Sequence, residues 1–136
     1  MVQPSSFWLF FLYNRTMKII LSKNKFILKE RNKNVGYLKF EYASDASIKG
    51  RNVEIPYCFI KLEYRRKGLA KKLLNYALNY FKKKKVIWVS LWTGKDLEQK
   101  KAYTLYKKFG FKQVAYQEDY YEDGVGVRLF VKRLNS

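Results

Sequence analysis

The stretch that decides the fold runs from Glu54 to Lys72, EIPYCFIKLEYRRKGLAKK. It opens as a strand, with Ile55, Tyr57 and Phe59 on one face and Cys58, Ile60 and Leu62 on the other, the pattern of a strand covered on both sides. Arg65, Arg66, Lys67 and Gly68 then form a basic turn, and from Leu69 the apolar positions change period: Leu69, Leu73, Leu74, Ala77, Leu78 and Phe81 share one helical face. A strand that passes through a basic, glycine-containing turn into a helix provides a seat for phosphate. The N–H groups of a first helical turn have no partner inside the helix, the helix dipole places roughly half a positive charge there, and the arginines add to it.

The rest of the chain bounds what that seat can serve. With 136 residues, one core suffices for residues 17–136, and the reading is a single domain with residues 1–16 as an apolar appendage. Phe7–Tyr13 is too short to span a bilayer and no positive charge precedes it, so Met17 is an alternative start; if used, the segment adds an edge strand or a contact between two copies in a homodimer. There is no histidine and one cysteine, Cys58. That removes Ser-His-Asp and Cys-His nucleophiles and Cys/His zinc clusters, so no metal is expected, and it fits a reducing, intracellular compartment, cytoplasmic or nuclear. Any general base must be Glu, Asp, Tyr, Lys, Cys58 or water.

The net charge of +18 points to an anionic partner, nucleic acid among them, although a lysine-, asparagine- and isoleucine-rich composition also resembles AT-rich codon bias. Lys82–Lys85 closes the long helix, where cations meet the dipole favourably, so a solvated helix end is the simpler reading of that run.

Around the central stretch, Lys25–Arg31 and Val35–Tyr42 read as a hairpin and Ala43–Asn52 as a loop. Val86–Trp92 reads as a buried strand. A helix follows from an Asp96 N-cap, with Gln99 completing a capping box, to Gly110, placing Leu97, Ala102, Leu105, Tyr106 and Phe109 inward. Phe111–Tyr116 and Gly124–Arg133 form a last hairpin. Glu118, Asp119, Glu122 and Asp123, interleaved with Tyr116, Tyr120 and Tyr121, fall in its turn.

Two of these segments carry a resemblance. Arg65-x-x-Gly68-x-Ala70, preceded by Glu63-Tyr64, resembles the pyrophosphate signature of the GNAT superfamily of acyl-CoA-dependent N-acetyltransferases. Ala102-x-x-Leu105-Tyr106-x-x-x-Gly110-Phe111 resembles that family's second conserved helix, with Gln99 where asparagine is usual. The resemblance covers roughly residues 24 to 132 and implies an α/β (α+β) GNAT fold, a mixed and mostly antiparallel sheet with helices on both faces. The family's first helices have hardly any room here and are expected to be shortened or missing.

The resemblance also implies roles. Acetyl-CoA is the cosubstrate, and its acetyl group passes directly to a primary amine on a protein or small molecule. The backbone of Cys58, Phe59 and Ile60 holds the pantetheine arm, and Arg65 with the amides of Arg66, Lys67, Gly68, Leu69, Ala70 and Lys71 takes the pyrophosphate. Gln99 touches the cofactor, Glu54 is the general base as in the histone-acetyltransferase branch, and Tyr106 protonates the departing thiolate. Glu118, Asp119, Tyr120 and Tyr121 border the acceptor and suit a cationic amine. An ordinary strand-end glutamate and a core tyrosine remain open for Glu54 and Tyr106, and a basic nucleic-acid-binding module or a CoA binder without catalysis remains open for the whole chain.

Overall fold

The computed structural model describes residues 17–44 and 49–135, so the expectations for Phe7–Tyr13 and the rest of the appendage lie outside the described residues. Among the described residues, seven strands and three α-helices follow in order. They are β1 (Met17–Ser22), β2 (Lys25–Glu30), β3 (Lys33–Tyr42), β4 (Asn52–Ile60), α1 (Leu69–Lys83), β5 (Trp88–Trp92), α2 (Lys95–Lys100), α3 (Thr104–Lys108), β6 (Lys112–Glu122) and β7 (Val125–Arg133). A 3-10 turn, Leu62–Tyr64, separates β4 from α1. The strands pair in the order β1-β2-β3-β4-β5-β7-β6. The β1–β2, β2–β3, β5–β7 and β6–β7 pairings are antiparallel and β4–β5 is parallel, the mixed, mostly antiparallel sheet expected. A parallel pair needs a long crossover, and α1 supplies it.

The chain divides into two compact units; by described residues, one holds 17–41 and 57–84, the other 42–44, 49–56 and 85–135. In the first, β1 and β2 join through a two-residue turn at Lys23–Asn24, Lys23 taking φ 55°, and no helix lies between β1 and β3. Among the described residues the family's first helices are therefore missing. The strand β1 is an addition to the sequence reading, which begins its strands at Lys25. Its sequence MKIILS buries Met17 and Ile19 but leaves Leu21 exposed, so the apolar run hides the period-2 signal.

The six apolar positions assigned to the inner face of α1 are all buried. Phe81 meets Phe40 edge-on at 5.0 Å and Phe26 at 5.9 Å, and Phe26 stacks on Phe40 at 5.2 Å. These fully buried rings fix α1 on the β2–β3 face, and edge-to-face pairs of this kind add about 0.5–1.5 kcal/mol each beyond their area.

The second unit corrects three expectations. The helix expected from Asp96 to Phe109 is two short helices, broken at Lys101, which takes φ 52°. The N-cap of α2 is Gly94, without a side-chain cap, so the Asp96–Gln99 capping box does not form. Its buried residue is Glu98, while Leu97, Leu105, Tyr106 and Phe109 are half-buried and Ala102 is exposed. Finally, β6 runs on to Glu122, so Glu118, Asp119, Tyr120 and Tyr121 lie on a strand and the turn is only Asp123–Gly124. The strand absorbs its extra length in register shifts, with Asp119 at φ 56° and its Oδ1 accepting the Gly124 N–H at 2.7 Å.

Candidate functional site

The second half of β4 departs from the covered strand that its composition implies. Pro56, Tyr57, Cys58 and Phe59 are exposed one after another, so both faces of the strand are open there. The β4–β5 ladder runs over Asn52↔Trp88, Val53↔Val89 and Glu54↔Ser90 and ends, while β4 continues to Ile60. Pro56 has no N–H to give to a ladder, which is a local reason for the pairing to stop near it. Towards β3 the strand stays attached. Lys61 N–H donates to the Val35 carbonyl at 2.9 Å, and a Cβ on Gly36 would lie 2.6 Å from the Phe59 oxygen and from Ile60 Cδ1, so only glycine permits that approach.

Beyond the strand, Arg65 turns back. Its Nε donates to the Ile60 carbonyl at 2.7 Å, and its guanidinium lies 5.6 Å from the Phe59 ring centre. Arg66 and Gly68 both take left-handed backbone, φ 63° and 73°, which folds the turn tightly and directs the chain into α1. Gly68 is the N-cap, no side chain caps the helix, and its first turn holds no acid. The bond from Lys72 N–H to the Gly68 carbonyl at 3.1 Å opens the helical ladder, so the amides of Leu69, Ala70 and Lys71 point out of the helix end. Space around Gly68 is open. Arg65, Arg66, Lys67, Gly68, Leu69, Ala70 and Lys71 are thus brought together as one basic, uncapped helix end, with Phe59 and Ile60 joined to it through Arg65. That donor set fits a doubly charged phosphate group.

Cys58 is exposed on this strand, yet the protein around its sulfur pushes the thiol up to about 12. Desolvation of the sulfur by the surrounding protein is the cause, and it leaves the thiol protonated and a poor nucleophile.

In the second unit, Glu54 is half-buried at the last β4–β5 ladder pair, beyond which β4 is no longer paired with β5. Tyr106 packs its ring 5.6 Å from Phe130 and 6.1 Å from Phe111, so it is in part a packing residue. Gln99 is exposed on α2. On β6, Tyr121 donates its hydroxyl proton to the Thr93 carbonyl at 2.8 Å and stacks edge-on with Tyr120 at 5.0 Å. Glu122 pairs with Lys95 at 2.6 Å. Part of the acidic aromatic segment is therefore engaged in holding the hairpin.

The sequence reading misses a cluster built around Arg128 on β7. Its Nε donates to both carboxylate oxygens of Glu98, at 3.2 and 3.1 Å, and Nη1 donates to Gln113 Oε1 at 3.1 Å. The guanidinium lies between the rings of Tyr103 and Tyr116, 4.4 and 4.5 Å from their centres. Main-chain bonds to Thr93 complete the cluster: Arg128 N–H to Oγ1 at 2.9 Å and Thr93 N–H to the Arg128 carbonyl at 3.0 Å. The available signal was an arginine alone inside the apolar run VGVRLFV. Through Glu98 and Tyr103 this side chain anchors two helices of six and five residues that are too short to be stable alone.

Among the described residues no helix is long and apolar enough to cross a membrane, and no group of three or more His, Cys, Asp or Glu is placed to hold a metal ion.

Comparison with known proteins bears on the family and the fold. The family model described as acetyltransferase (GNAT) family matches residues 3–111. An uncharacterized N-acetyltransferase of Methanocaldococcus jannaschii is 33% identical over 89 residues, 65% of this chain but 38% of the relative, so the chain spans well under half of that protein's length. Among solved structures, the ribosomal-protein-S18-alanine N-acetyltransferase of Escherichia coli superposes with a TM-score of 0.71 at 16% identity, covering 85% of this chain and 73% of that one. Arabidopsis thaliana Naa50, in complex with a bisubstrate analogue containing CoA, gives 0.65 at 22% identity, covering 81% and 72%.

Proposed function

Because the chain belongs to the acetyltransferase (GNAT) family, we propose that it transfers the acetyl group of acetyl-CoA to a primary amine, a protein lysine or N-terminus or a small amine, without a covalent enzyme intermediate. The observation that carries this is the basic, uncapped start of α1, reached from a strand open on both faces. Acetyl-CoA is the cosubstrate. The amides of Arg66 through Lys71 and the side chain of Arg65 bind its pyrophosphate, and the backbone of Cys58, Phe59 and Ile60, beyond the end of the β4–β5 ladder, meets the amides of its pantetheine arm. Gln99 is the further cofactor contact that the resemblance implies.

The thioester is already activated, so the protein's work is to position the amine and remove its proton. An amine of ordinary lysine type is only about one part in a thousand neutral at pH 7.4, a deficit of about 4 kcal/mol. Glu54 is the base that takes the proton, directly or through water. The amine nitrogen then bonds to the acetyl carbon as the carbon–sulfur bond breaks, and Tyr106 protonates the leaving thiolate. Glu118, Asp119, Tyr120 and Tyr121 border the acceptor and favour a cationic amine. The names of the superposing structures include enzymes that act on protein or peptide substrates, which supports a protein acceptor.

Isothermal titration with acetyl-CoA and with CoA at two salt concentrations tests the reading. Saturable micromolar binding that persists at the higher salt is expected, followed by acetylation of an amine panel. Heat that appears only at low salt would mean that the helix end attracts anions without recognising the cofactor.

A further inference from the structure

The first unit has a second feature that acetyl transfer leaves unused. On the sheet face turned away from α1, the registers place three rows across the strands. Ile20 pairs with Ile27 and Ile27 with Tyr37, whose ring lies 5.9 Å from that of Phe59. This apolar and aromatic row is flanked on one side by Lys18 opposite Lys29 and on the other by Lys25 opposite Lys39. Tyr57, two residues before Phe59, extends the aromatic surface and is 62% exposed; Phe59 is 41% exposed. No helix precedes β4 among the described residues to cover these positions.

Directly opposed like charges weaken a sheet, and here two such lysine pairs stand on one face. Glu41 reaches Lys39 at 3.7 Å and is the acid that β1–β3 carry on that face; Lys25 instead lies 4.8 Å over the Tyr37 ring. A single nucleic-acid strand that crosses the three rows would set successive phosphates on the two basic rows, about two strand residues either side of the aromatic row, and lay the unstacked bases between them on its rings. A duplex would hide its bases from Tyr57 and Phe59, and an acidic peptide would leave the aromatic row without a stacking partner. We propose that this face binds single-stranded nucleic acid, with Lys18, Lys25, Lys29 and Lys39 on phosphates and Tyr37 and Tyr57 stacking on bases.

Fluorescence anisotropy of the full chain with labelled ten-nucleotide oligouridylate and oligothymidylate tests this, using inorganic polyphosphate as a polyanion without bases. Four phosphate contacts predict a log–log salt slope of about −3, reduced by about 1.4 in Lys25→Gln/Lys39→Gln. Tyr57→Ala should weaken oligonucleotide binding by about 5- to 150-fold while leaving polyphosphate affinity alone. Acetyl-CoA titration of both variants keeps its wild-type affinity if they are folded. Tighter binding of either oligonucleotide supports the proposal and assigns the sugar. Three results would overturn it: no binding at low salt, polyphosphate competing equally with Tyr57→Ala without effect, or binding lost on changing Lys82–Lys85 to glutamine and retained in the face variants.

Discussion

Replacing Arg128 by methionine should destabilise the protein far more than neutralising its partner with Glu98→Gln. The two sides of the pair are unequally buried: the Glu98 side chain is 5% exposed and that of Arg128 21%. Removing the arginine leaves a buried carboxylate without its counter-ion, worth about 3–5 kcal/mol, and also removes two ring contacts, worth about 0.5–1 kcal/mol each at a partly exposed site. Glu98→Gln leaves the guanidinium between Tyr103 and Tyr116, still bonded to Gln113 and still touching water, so about 1–2 kcal/mol is lost. The double variant Glu98→Leu/Arg128→Met should recover much of the arginine's loss, because the stranded charge is gone. Urea unfolding followed by far-UV circular dichroism and by the fluorescence of Trp88 and Trp92 on β5 measures this, with the midpoint moving and the slope constant. Equal losses below about 1 kcal/mol for both single variants would refute the reasoning, since they would mark the pair as an ordinary surface salt bridge.

Gly68→Asp should abolish acetyl-CoA binding by titration, because it sets a carboxylate at an anion site and forces a side chain on to φ 73°. Glu54→Gln should lower kcat by about 10²- to 10⁴-fold with little change in acetyl-CoA affinity, and an unchanged rate would remove Glu54 as the base. Phe81→Ala should cost about 3–5 kcal/mol in urea, since the ring is fully buried against Phe26 and Phe40. Cys58 should react with iodoacetamide at pH 8 at least about tenfold more slowly than a free thiol, the raised thiol allowing up to about a thousandfold and its exposure reducing that. The same shift has a sign for folding: the unfolded chain releases the thiol proton near the ordinary value of 9.0 and the folded chain near 12, so stability should fall as pH rises between them and be unaffected below.

The stretch from Glu54 to Lys72 was legible because two periods meet in it, and each period is set by its own backbone. The helical stripe from Leu69 to Phe81 is buried throughout, and Gly68 takes the left-handed conformation that a glycine before a helix allows. Where tertiary contacts override local signals, the reading failed. Asp96 and Gln99 offer a capping box, but Glu98 is drawn to Arg128 some thirty residues later, and the helix is short and broken beyond it. No local pattern announces an acid that is buried by a distant arginine. The acidic aromatic segment looks like a turn by composition, yet pairing with β7 and the Asp119 side-chain bond keep it extended. One signal was present and unread. Pro56 stands in the middle of an apolar strand, and a proline there argues against a strand laddered on both edges. The four exposed residues from Pro56 to Phe59 begin with it, on the part of β4 that lies beyond the β4–β5 ladder.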